Sequence, residues 1–225
     1  MIDLRFPSTT IVGKQVPKNA FYKHLEVNAK IKQHFVDDVM RIDWLYKLAP
    51  STTNIADGTT VHEIVVFGVQ LKSRECPDDV FLFIDQNMPR HVVFVLEYEG
   101  QARLLLNYKD WTDDTKHSFK IVKTFTSEWM PDEQLALPLE GQTMDVVYET
   151  MAGSVSGFGT TKGEDTKRIV ELEELISKRK KEVEALQKKI RSERQLSRQM
   201  EMNGEARKLK KQLAAWQDEF RELKR

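Results

Sequence analysis

The segment VHEIVVFGVQLK (residues 61–72) marks the point at which the hydrophobic pattern of the chain changes from helical spacing to a period of two. Such alternation is typical of β-strands. Four more short runs rich in Val, Ile, Leu and Phe follow: DVFLFIDQ (79–86), RHVVFVLEYE (90–99), QARLLLNYK (101–109) and SFKIVKTFTS (118–127). The residues Glu99-Gly100-Gln101 predict a hairpin between two of them. Because the pattern leaves no helix between the runs, we expect an antiparallel sheet without β-α-β crossovers.

Helices are expected before and after these runs. Residues 6–19 contain two prolines and a glycine, which predict an extended arm. Apolar residues at helical spacing then predict one or two helices from Lys18 to about Val39, with Asn19 as the N-cap. Another helix is expected within Thr143–Met151. The predicted fold class is α+β, with N-terminal helices packed on a mostly antiparallel β-sheet and a C-terminal helical hairpin or coiled coil.

The two parts of the chain carry opposite charges, although the formal net charge is zero. Residues 1–161 hold 16 Lys and Arg against 22 Asp and Glu, a net charge of −6. Residues 162–225 hold 19 against 13, a net charge of +6. Such an asymmetry indicates a tail that contacts something anionic.

The composition also predicts where the body ends. Residues 1–152 are expected to form the α+β domain, 153–164 a glycine-rich linker, and 165–225 a basic helical hairpin or coiled coil. The apolar residues of the tail form two heptad sets that do not share one register, which favours two helices that turn near Arg191–Gln195. A single rod with an irregularity at Asn203-Gly204 is the alternative.

Basic residues are concentrated in one part of the tail. Positions 188–211 hold nine basic residues against three acidic ones. Lysine and arginine contact phosphates without regard to sequence, so this density predicts contact with a nucleic-acid backbone or with a partner. The alternative is a solvated coiled-coil flank whose glutamates pair with the cations. The nine residues are Lys188, Lys189, Arg191, Arg194, Arg198, Arg207, Lys208, Lys210 and Lys211.

One spacing is compatible with catalysis. Nucleases of the PD-(D/E)xK type hold a divalent cation with carboxylates on adjacent strands and stabilise the developing phosphate charge with a lysine. Asp57, Gln70 and Lys72 have a comparable spacing, and Mg²⁺ would be the cofactor. Glutamine weakens cation binding relative to a carboxylate, and Asp57-Gly58 is also an ordinary turn dipeptide. A nuclease is therefore the second hypothesis, and no other cofactor is expected.

Other site chemistries find little support in the sequence. The five histidines are far apart, which argues against a histidine metal site, and the glycine-rich stretch around Lys162 matches no phosphate-binding motif. Cys76 is the only cysteine and has no neighbouring histidine, so a disulfide framework is excluded and a reactive thiol is not expected. With no apolar segment of membrane-spanning length, we expect a soluble, cytoplasmic protein.

Several segments together resemble a known family. They are PSTTIVGKQVPKNAFY (7–22), VMRIDWLYKLAPSTTNI (39–55), HEIVVFGVQLK (62–72), IDQNMPRHVVFVLEYEG (84–100) and RSERQLSRQMEMNGEARKLKKQL (191–213). In this order they resemble the bacterial and archaeal domain-of-unknown-function family 4391, and Trp44-x-Tyr46-Lys47-Leu48-x-Pro50 is the most specific part. The resemblance implies a protein encoded beside helicase and DNA-methylase genes in restriction-like phage-defence clusters. It implies no catalytic residues.

These observations predict a non-catalytic accessory subunit of a DNA-directed defence or restriction-modification-like complex. Its expected partners are a helicase or DNA methylase, a DNA or RNA backbone, or a second copy bound through residues 165–225; no membrane is expected. The metal-dependent nuclease and a structural homo-oligomer joined through the C-terminal helices are the alternatives. Trp44 and Tyr46 are expected to pack against the sheet or, alternatively, to serve as recognition aromatics.

Overall fold

A computed structural model describes residues 2–21, 27–113, 118–157 and 163–224. The chain divides into two compact units, Met1–Gly163 and Glu164–Arg225. The first unit contains a mixed sheet with helices, and the second contains two long helices. This arrangement confirms the predicted α+β class and the C-terminal helical hairpin.

The secondary structure of the described ranges is as follows. The strands are β1 Ile11–Val16, β2 Val39–Leu48, β3 Ile64–Leu71, β4 His91–Tyr98, β5 Gln101–Asp113, β6 Ser118–Thr126 and β7 Met130–Pro131. The α-helices are α1 Ala29–Asp37, α2 Pro50–Thr53, α3 Asp79–Gln86, α4 Met144–Ser156, α5 Gly163–Ser192 and α6 Leu196–Leu223. Short 3-10 helices occupy Ser8–Thr10, Lys18–Phe21 and Asp132–Gln134.

The sheet has the order β1-β2-β3-β4-β5-β6, and β7 pairs with the start of β5. All pairs are antiparallel except β3 and β4, which are parallel. The predicted β4–β5 hairpin is confirmed, with positive φ angles of 46° at Glu99 and 76° at Gly100. Positive φ at both central residues is the conformation that two-residue hairpin turns require.

The parallel β3–β4 pair overturns one prediction. The segment Asp79–Gln86 was expected to be a strand, but it forms the helix α3. Together β3, α3 and β4 make a β-α-β crossover, so the prediction of a sheet without crossovers is also wrong. The run DVFLFIDQ has only eight residues, and most of them are apolar. Its hydrophobic pattern therefore fits a buried strand and a buried helix equally well. Burial of Val80, Phe81 and Ile84 shows which spacing the fold uses.

The N-terminal elements also differ from expectation. The predicted extended arm contains the edge strand β1. The helix α1 ends at Asp37, close to the predicted Val39, but it begins only at Ala29, whereas Lys18–Phe21 is a 3-10 helix. Asn28, not Asn19, caps α1, since its side-chain oxygen accepts a hydrogen bond of 2.8 Å from the amide of Ile31. The predicted linker 153–164 is partly helical, because α4 continues to Ser156 and α5 begins at Gly163; residues 158–162 lie outside the described ranges.

Helices pack on both faces of the sheet. On one face, Phe35 of α1 and Phe81 of α3 join a core with Phe67 and Phe94 of the two parallel strands. On the other face, α4 packs against β5 and β6. Its Tyr148 is fully buried and donates a hydrogen bond of 3.1 Å to the carbonyl of Asn107. β3 and β4 are consequently buried on both faces, which is typical of parallel strands.

Trp44 and Tyr46 are part of this packing. Trp44 is half-buried against the core that contains Phe67, and its Nε1 donates to the Tyr46 carbonyl at 2.9 Å. The Tyr46 ring is buried and meets Phe6 edge-on at 5.1 Å. Its hydroxyl accepts from the amide of Leu4 at 3.3 Å. Both aromatics thus have a structural role, and the Tyr46 contacts join the N-terminal segment to the sheet.

A buried ion pair fastens the crossover. Lys109 Nζ of β5 lies 2.6 Å from Asp85 Oδ1 of α3, and both side chains are 0% exposed. The same ammonium donates to the carbonyls of Met88 at 2.9 Å and Arg90 at 2.6 Å, in the loop between α3 and β4. Burial raises the pKa of Asp85 to about 6, although the Lys109 charge opposes this shift, and burial lowers the pKa of Lys109.

A carboxylate at the start of α4 fastens a second loop. Asp145 accepts hydrogen bonds from the amides of Thr59, Thr60 and Val61 and from both threonine hydroxyls, at 2.6–3.1 Å. Burial acts to raise the pKa of Asp145, but these hydrogen bonds outweigh it and lower the pKa to about 2. A Cβ on Gly58 would lie 2.5 Å from Asp145 Oδ1, so the loop has no room for a side chain there.

We expect Asp145→Asn to lower the free energy of unfolding by about 1–2 kcal/mol near neutral pH, because a partly exposed carboxylate loses charge-assisted hydrogen bonds. The folded pKa lies below the unfolded one, so the stabilisation is present above the unfolded pKa and is lost as the pH falls. The difference between wild type and variant should therefore shrink between about pH 4 and pH 2. Urea unfolding at several pH values measures it, with the exposed Glu133→Gln as control.

Lys109→Met should cost about 3–5 kcal/mol, because it leaves the Asp85 carboxylate buried without its counter-charge. Loss of the Lys109 charge raises the pKa of Asp85 in the folded state further above its value in the unfolded state. Asp85 then becomes protonated and neutral in the folded variant as the pH falls, so the destabilisation should shrink from about pH 8 to about pH 5. The double variant Asp85→Leu/Lys109→Met should recover part of the loss in urea unfolding. A single variant as stable as wild type at every pH would contradict this role.

Candidate nucleic-acid interface

The helices α5 and α6 form an antiparallel hairpin. Near its open end, Arg168 Nε of α5 lies 2.7 Å from Glu219 Oε1 of α6. Further along, the Arg179 guanidinium lies over the Trp216 ring, 5.2 Å from its centre. Beside the turn, Gln199 Nε2 donates to the Ile190 carbonyl at 3.1 Å. As the residue numbers rise along α5, the numbers of their partners on α6 fall, so the two helices run antiparallel.

The turn lies where the change of heptad register predicted it. Residues 193–195 separate the helices, and the Gln195 amide donates to Glu193 Oε1 at 2.9 Å. The alternative of a continuous rod is wrong. The helix α6 runs through Asn203-Gly204 without interruption, and the Asn203 side chain donates to the Gln199 carbonyl at 2.9 Å.

The apolar seam of the hairpin is used within the chain. Val183 of α5 is 6% exposed and Ala206 of α6 is 5% exposed, and they lie at matching distances from the turn. Leu209, Leu213 and Trp216 are half-buried along α6. In the described residues, this seam leaves little of the apolar stripe that a second copy would need to form a coiled coil.

All nine predicted contact residues lie on the exposed surface of the hairpin. The ion pairs of the described hairpin involve Arg168, Arg179 and Arg221 as cations. Within the described ranges, none of the nine forms an ion pair. The nine side chains are those of Lys188, Lys189, Arg191, Arg194, Arg198, Arg207, Lys208, Lys210 and Lys211.

The cations form two groups along the hairpin. Five lie next to the turn, between Lys188 and Arg198. The other four, between Arg207 and Lys211, lie roughly 20 Å from the turn at the helical rise of 1.5 Å per residue. Lys178, Lys180 and Lys181 of α5 are exposed at the same level as this second group. Each group thus presents several exposed cations close together.

The aromatic residues of α6 are engaged in contacts elsewhere. Trp216 lies under Arg179, and Phe220 lies under Lys224 with the ammonium 4.4 Å from the ring centre. Both are more than 20 residues beyond the turn. Among the described residues of α5 and α6, the surface near the turn therefore has no aromatic side chain of the kind on which single-stranded nucleic-acid sites stack bases.

The residues of the nuclease hypothesis do not come together. Asp57 precedes β3 and pairs with His62 Nδ1 at 2.9 Å, whereas Gln70 lies near the other end of that strand. Six residues of strand separate the two ends by roughly 20 Å. Lys72 lies beside Gln70, but its Nζ donates to the Val36 carbonyl at 2.8 Å, at the end of α1.

Gln70 and Lys72 instead line an open cleft of about 380 Å³ with Glu97, Glu99 and Asp132. Gln70 and Glu97 are register partners on the parallel strands. Burial raises the pKa of Glu97, and the negative charge of Asp132 adds to this shift. Among the residues that the structure describes, no group of three or more Asp, Glu, His or Cys side chains is arranged to hold a metal ion.

The remaining titratable candidates are structural. Cys76 is buried, and burial raises the pKa of its thiol to about 12, so it stays protonated. His91 is buried against Tyr148, and burial lowers its pKa to about 3. His24 and His117 lie outside the described residues. Within those residues, no helix is both long and apolar enough to cross a bilayer.

A family model described as a domain of unknown function (DUF4391) matches residues 4–213. The chain belongs to the DUF4391 family. No curated protein and no solved structure matches the chain significantly. The DUF4391 match extends from the N-terminal segment to Leu213, so it includes the turn of the hairpin and all nine cations. The basic segment Lys188–Lys211 is consequently part of the family domain and not an extension beyond it.

The sequence did not reveal two further surface residues. Leu196 and Met200 belong to the second heptad set and were expected in the seam. Both are strongly exposed in the structure, 70% and 67% respectively. Ala206 marks the face of α6 that packs on α5, and at 3.6 residues per turn Leu196 and Met200 lie on a different face of the helix, so α5 does not cover them.

Proposed function

We propose that this DUF4391 protein is a non-catalytic nucleic-acid-binding subunit whose C-terminal hairpin holds the phosphate backbone of a duplex. The observation that carries the proposal is the set of nine exposed cations near and behind the turn, none of which forms an ion pair within the described ranges. A coiled-coil flank would be expected to pair its cations with glutamates of the neighbouring helix. The hairpin uses such pairs at its open end, where Arg168 meets Glu219.

Charge distribution supports the same proposal. Residues 1–161 carry a net charge of −6 and residues 162–225 one of +6. A negatively charged body repels a polyanion, and a positive hairpin attracts it, so contact should be confined to the hairpin. Cations released from the duplex as phosphates are neutralised would supply most of the binding free energy.

The body is proposed to dock a partner protein. A helicase or DNA methylase of a phage-defence or restriction-modification-like complex stays a prediction that rests on the resemblance to the family. The cleft between β3, β4 and the turn after β4 offers Gln70, Lys72 and Glu97 for polar contacts. Cytoplasmic localisation likewise stays a prediction.

The proposal predicts retardation of duplex DNA that weakens steeply between roughly 50 and 200 mM salt. Replacing Arg191, Arg194 and Arg198 by Gln should reduce the slope of log K against log salt by up to about 3, because each lost phosphate contact lowers it by about 0.9. Fluorescence anisotropy over a salt series measures both quantities. Each variant should keep the wild-type circular dichroism spectrum, since the three side chains are exposed.

A matched control removes the same charge from the body. The variant Lys14→Gln/Lys30→Gln/Arg90→Gln should bind with the wild-type salt slope, because these residues lie outside the hairpin. An equal effect of the two triple variants would show that binding follows net charge and not the hairpin. Absence of binding at about 50 mM salt would refute the proposed function.

The same proposal predicts no cleavage. Supercoiled plasmid incubated with the protein and Mg²⁺ or Mn²⁺ should remain intact, because Asp57 precedes β3 and Gln70 lies near the far end of that strand, roughly 20 Å from its start. Nicking that requires either ion and that Lys72→Ala abolishes would support the metal-dependent nuclease instead. Asp57→Asn would abolish such activity only if Asp57 belongs to the site. Nicking that survives this substitution would point to the cleft carboxylates Glu97, Glu99 and Asp132 instead.

A further inference from the structure

Two large apolar side chains stand exposed among the cations next to the turn. Leu196 is 70% exposed and Met200 is 67% exposed. In contrast, Val183 and Ala206 of the same hairpin are buried in its seam. Single exposed apolar residues are common on protein surfaces, but these two form a pair on one helix.

The pair occupies one face of α6. Residues four apart on a helix lie above one another, so Leu196 and Met200 form a continuous apolar ridge on the first two turns. Arg194 lies in the turn, two residues before Leu196. Three more cations lie in the last turns of α5, which the Gln199–Ile190 hydrogen bond places beside the start of α6. These side chains are exposed, so the ridge lies next to a cluster of positive charge.

An apolar ridge next to a cluster of cations matches a recurring mode of DNA recognition. Proteins that bend DNA insert Leu, Met, Ile or Phe between base pairs from the minor groove, while cations beside the wedge hold the flanking phosphates. A surface that docks into an apolar groove of another protein would not need a cluster of cations beside it. Because the cations are the dominant feature of this surface, charge complementarity selects a polyanion as the occupant.

We propose that Leu196 and Met200 form a wedge that enters the minor groove of duplex DNA, unstacks one base step and bends the duplex. This inference rests on the proposed function and adds a mode of binding to it. Arg194 holds the phosphates beside the wedge, together with Lys188, Lys189 and Arg191 of the adjacent helix end. The second group of cations, near Lys208, contacts the same duplex farther along. Pyrimidine–purine steps such as TA unstack at least cost and are the preferred sites.

The test uses the full-length protein and a duplex of about 30 base pairs with a central TA step. End-labelled DNA reports bending by energy transfer, and 2-aminopurine at the central step reports unstacking. Wild-type protein should shorten the end-to-end distance and raise the 2-aminopurine fluorescence. Leu196→Ser/Met200→Ser should abolish both signals and weaken binding about tenfold, because the buried apolar contact is lost. Its salt slope should stay unchanged, since the phosphate contacts remain.

Two control variants test the wedge itself. Leu175→Ser removes an apolar side chain that is 36% exposed on α5 and far from the turn, and it should bend DNA like wild type. The exchange Leu196→Met/Met200→Leu keeps an apolar ridge and should also bend DNA. Circular dichroism shows that each variant is folded.

The outcomes separate this inference from the proposed function. Salt-dependent binding by wild type that leaves the duplex straight and stacked would overturn the wedge and leave the proposed function intact. Bending by the double Ser variant equal to that of wild type would do the same. Failure of wild type to bind the duplex would overturn both, and the ridge would then be assigned to a protein partner.

Discussion

Lys109 and Asp85 meet at 2.6 Å where neither side chain reaches solvent. The parallel pairing of β3 with β4 depends on this contact, because the ammonium also binds both carbonyls of the loop that returns the chain from α3 to β4. A β-α-β crossover needs its helix fixed against the sheet. Val80, Phe81 and Ile84 of α3 are buried in the core. We expect the ion pair to favour one position of the helix, a role that is documented for some buried polar groups.

A different constraint shapes the hairpin. Its stability comes from an apolar seam closed at the open end by the Arg168–Glu219 pair and the Arg179–Trp216 contact. These contacts use Arg168 and Arg179 as their cations. None of the nine cations between Lys188 and Lys211 forms an ion pair within the described ranges.

Most of the sheet could be predicted from the sequence, because β3, β4, β5 and β6 alternate clearly and Glu99-Gly100 has the chemistry of a tight turn. The crossover could not be predicted. Asp79–Gln86 is short and apolar, so its pattern fits a strand or a buried helix, and only the parallel partner strand decides between them. The strand β2 could not be predicted for a similar reason, since Val39 and Ile42 continue the helical spacing of the apolar residues in α1.

The candidate site shows the same limit. Charge density along the chain is a local property, so the nine cations of the hairpin were predictable residue by residue. The environment of Leu196 and Met200 is not local, because it depends on which face of α6 packs against α5. Likewise, Asp57 and Gln70 have a plausible spacing in sequence, but an extended strand lies between them and keeps them apart.

The length of α6 has a mechanical consequence. A straight helix of 28 residues is about 42 Å long, equal to roughly twelve base pairs of B-form DNA. Because α5 and α6 are joined by the Arg168–Glu219 pair at one end and by the Gln199–Ile190 hydrogen bond at the other, the hairpin resists bending. Ligands bound at its two ends would therefore be held at a nearly constant separation of about 42 Å.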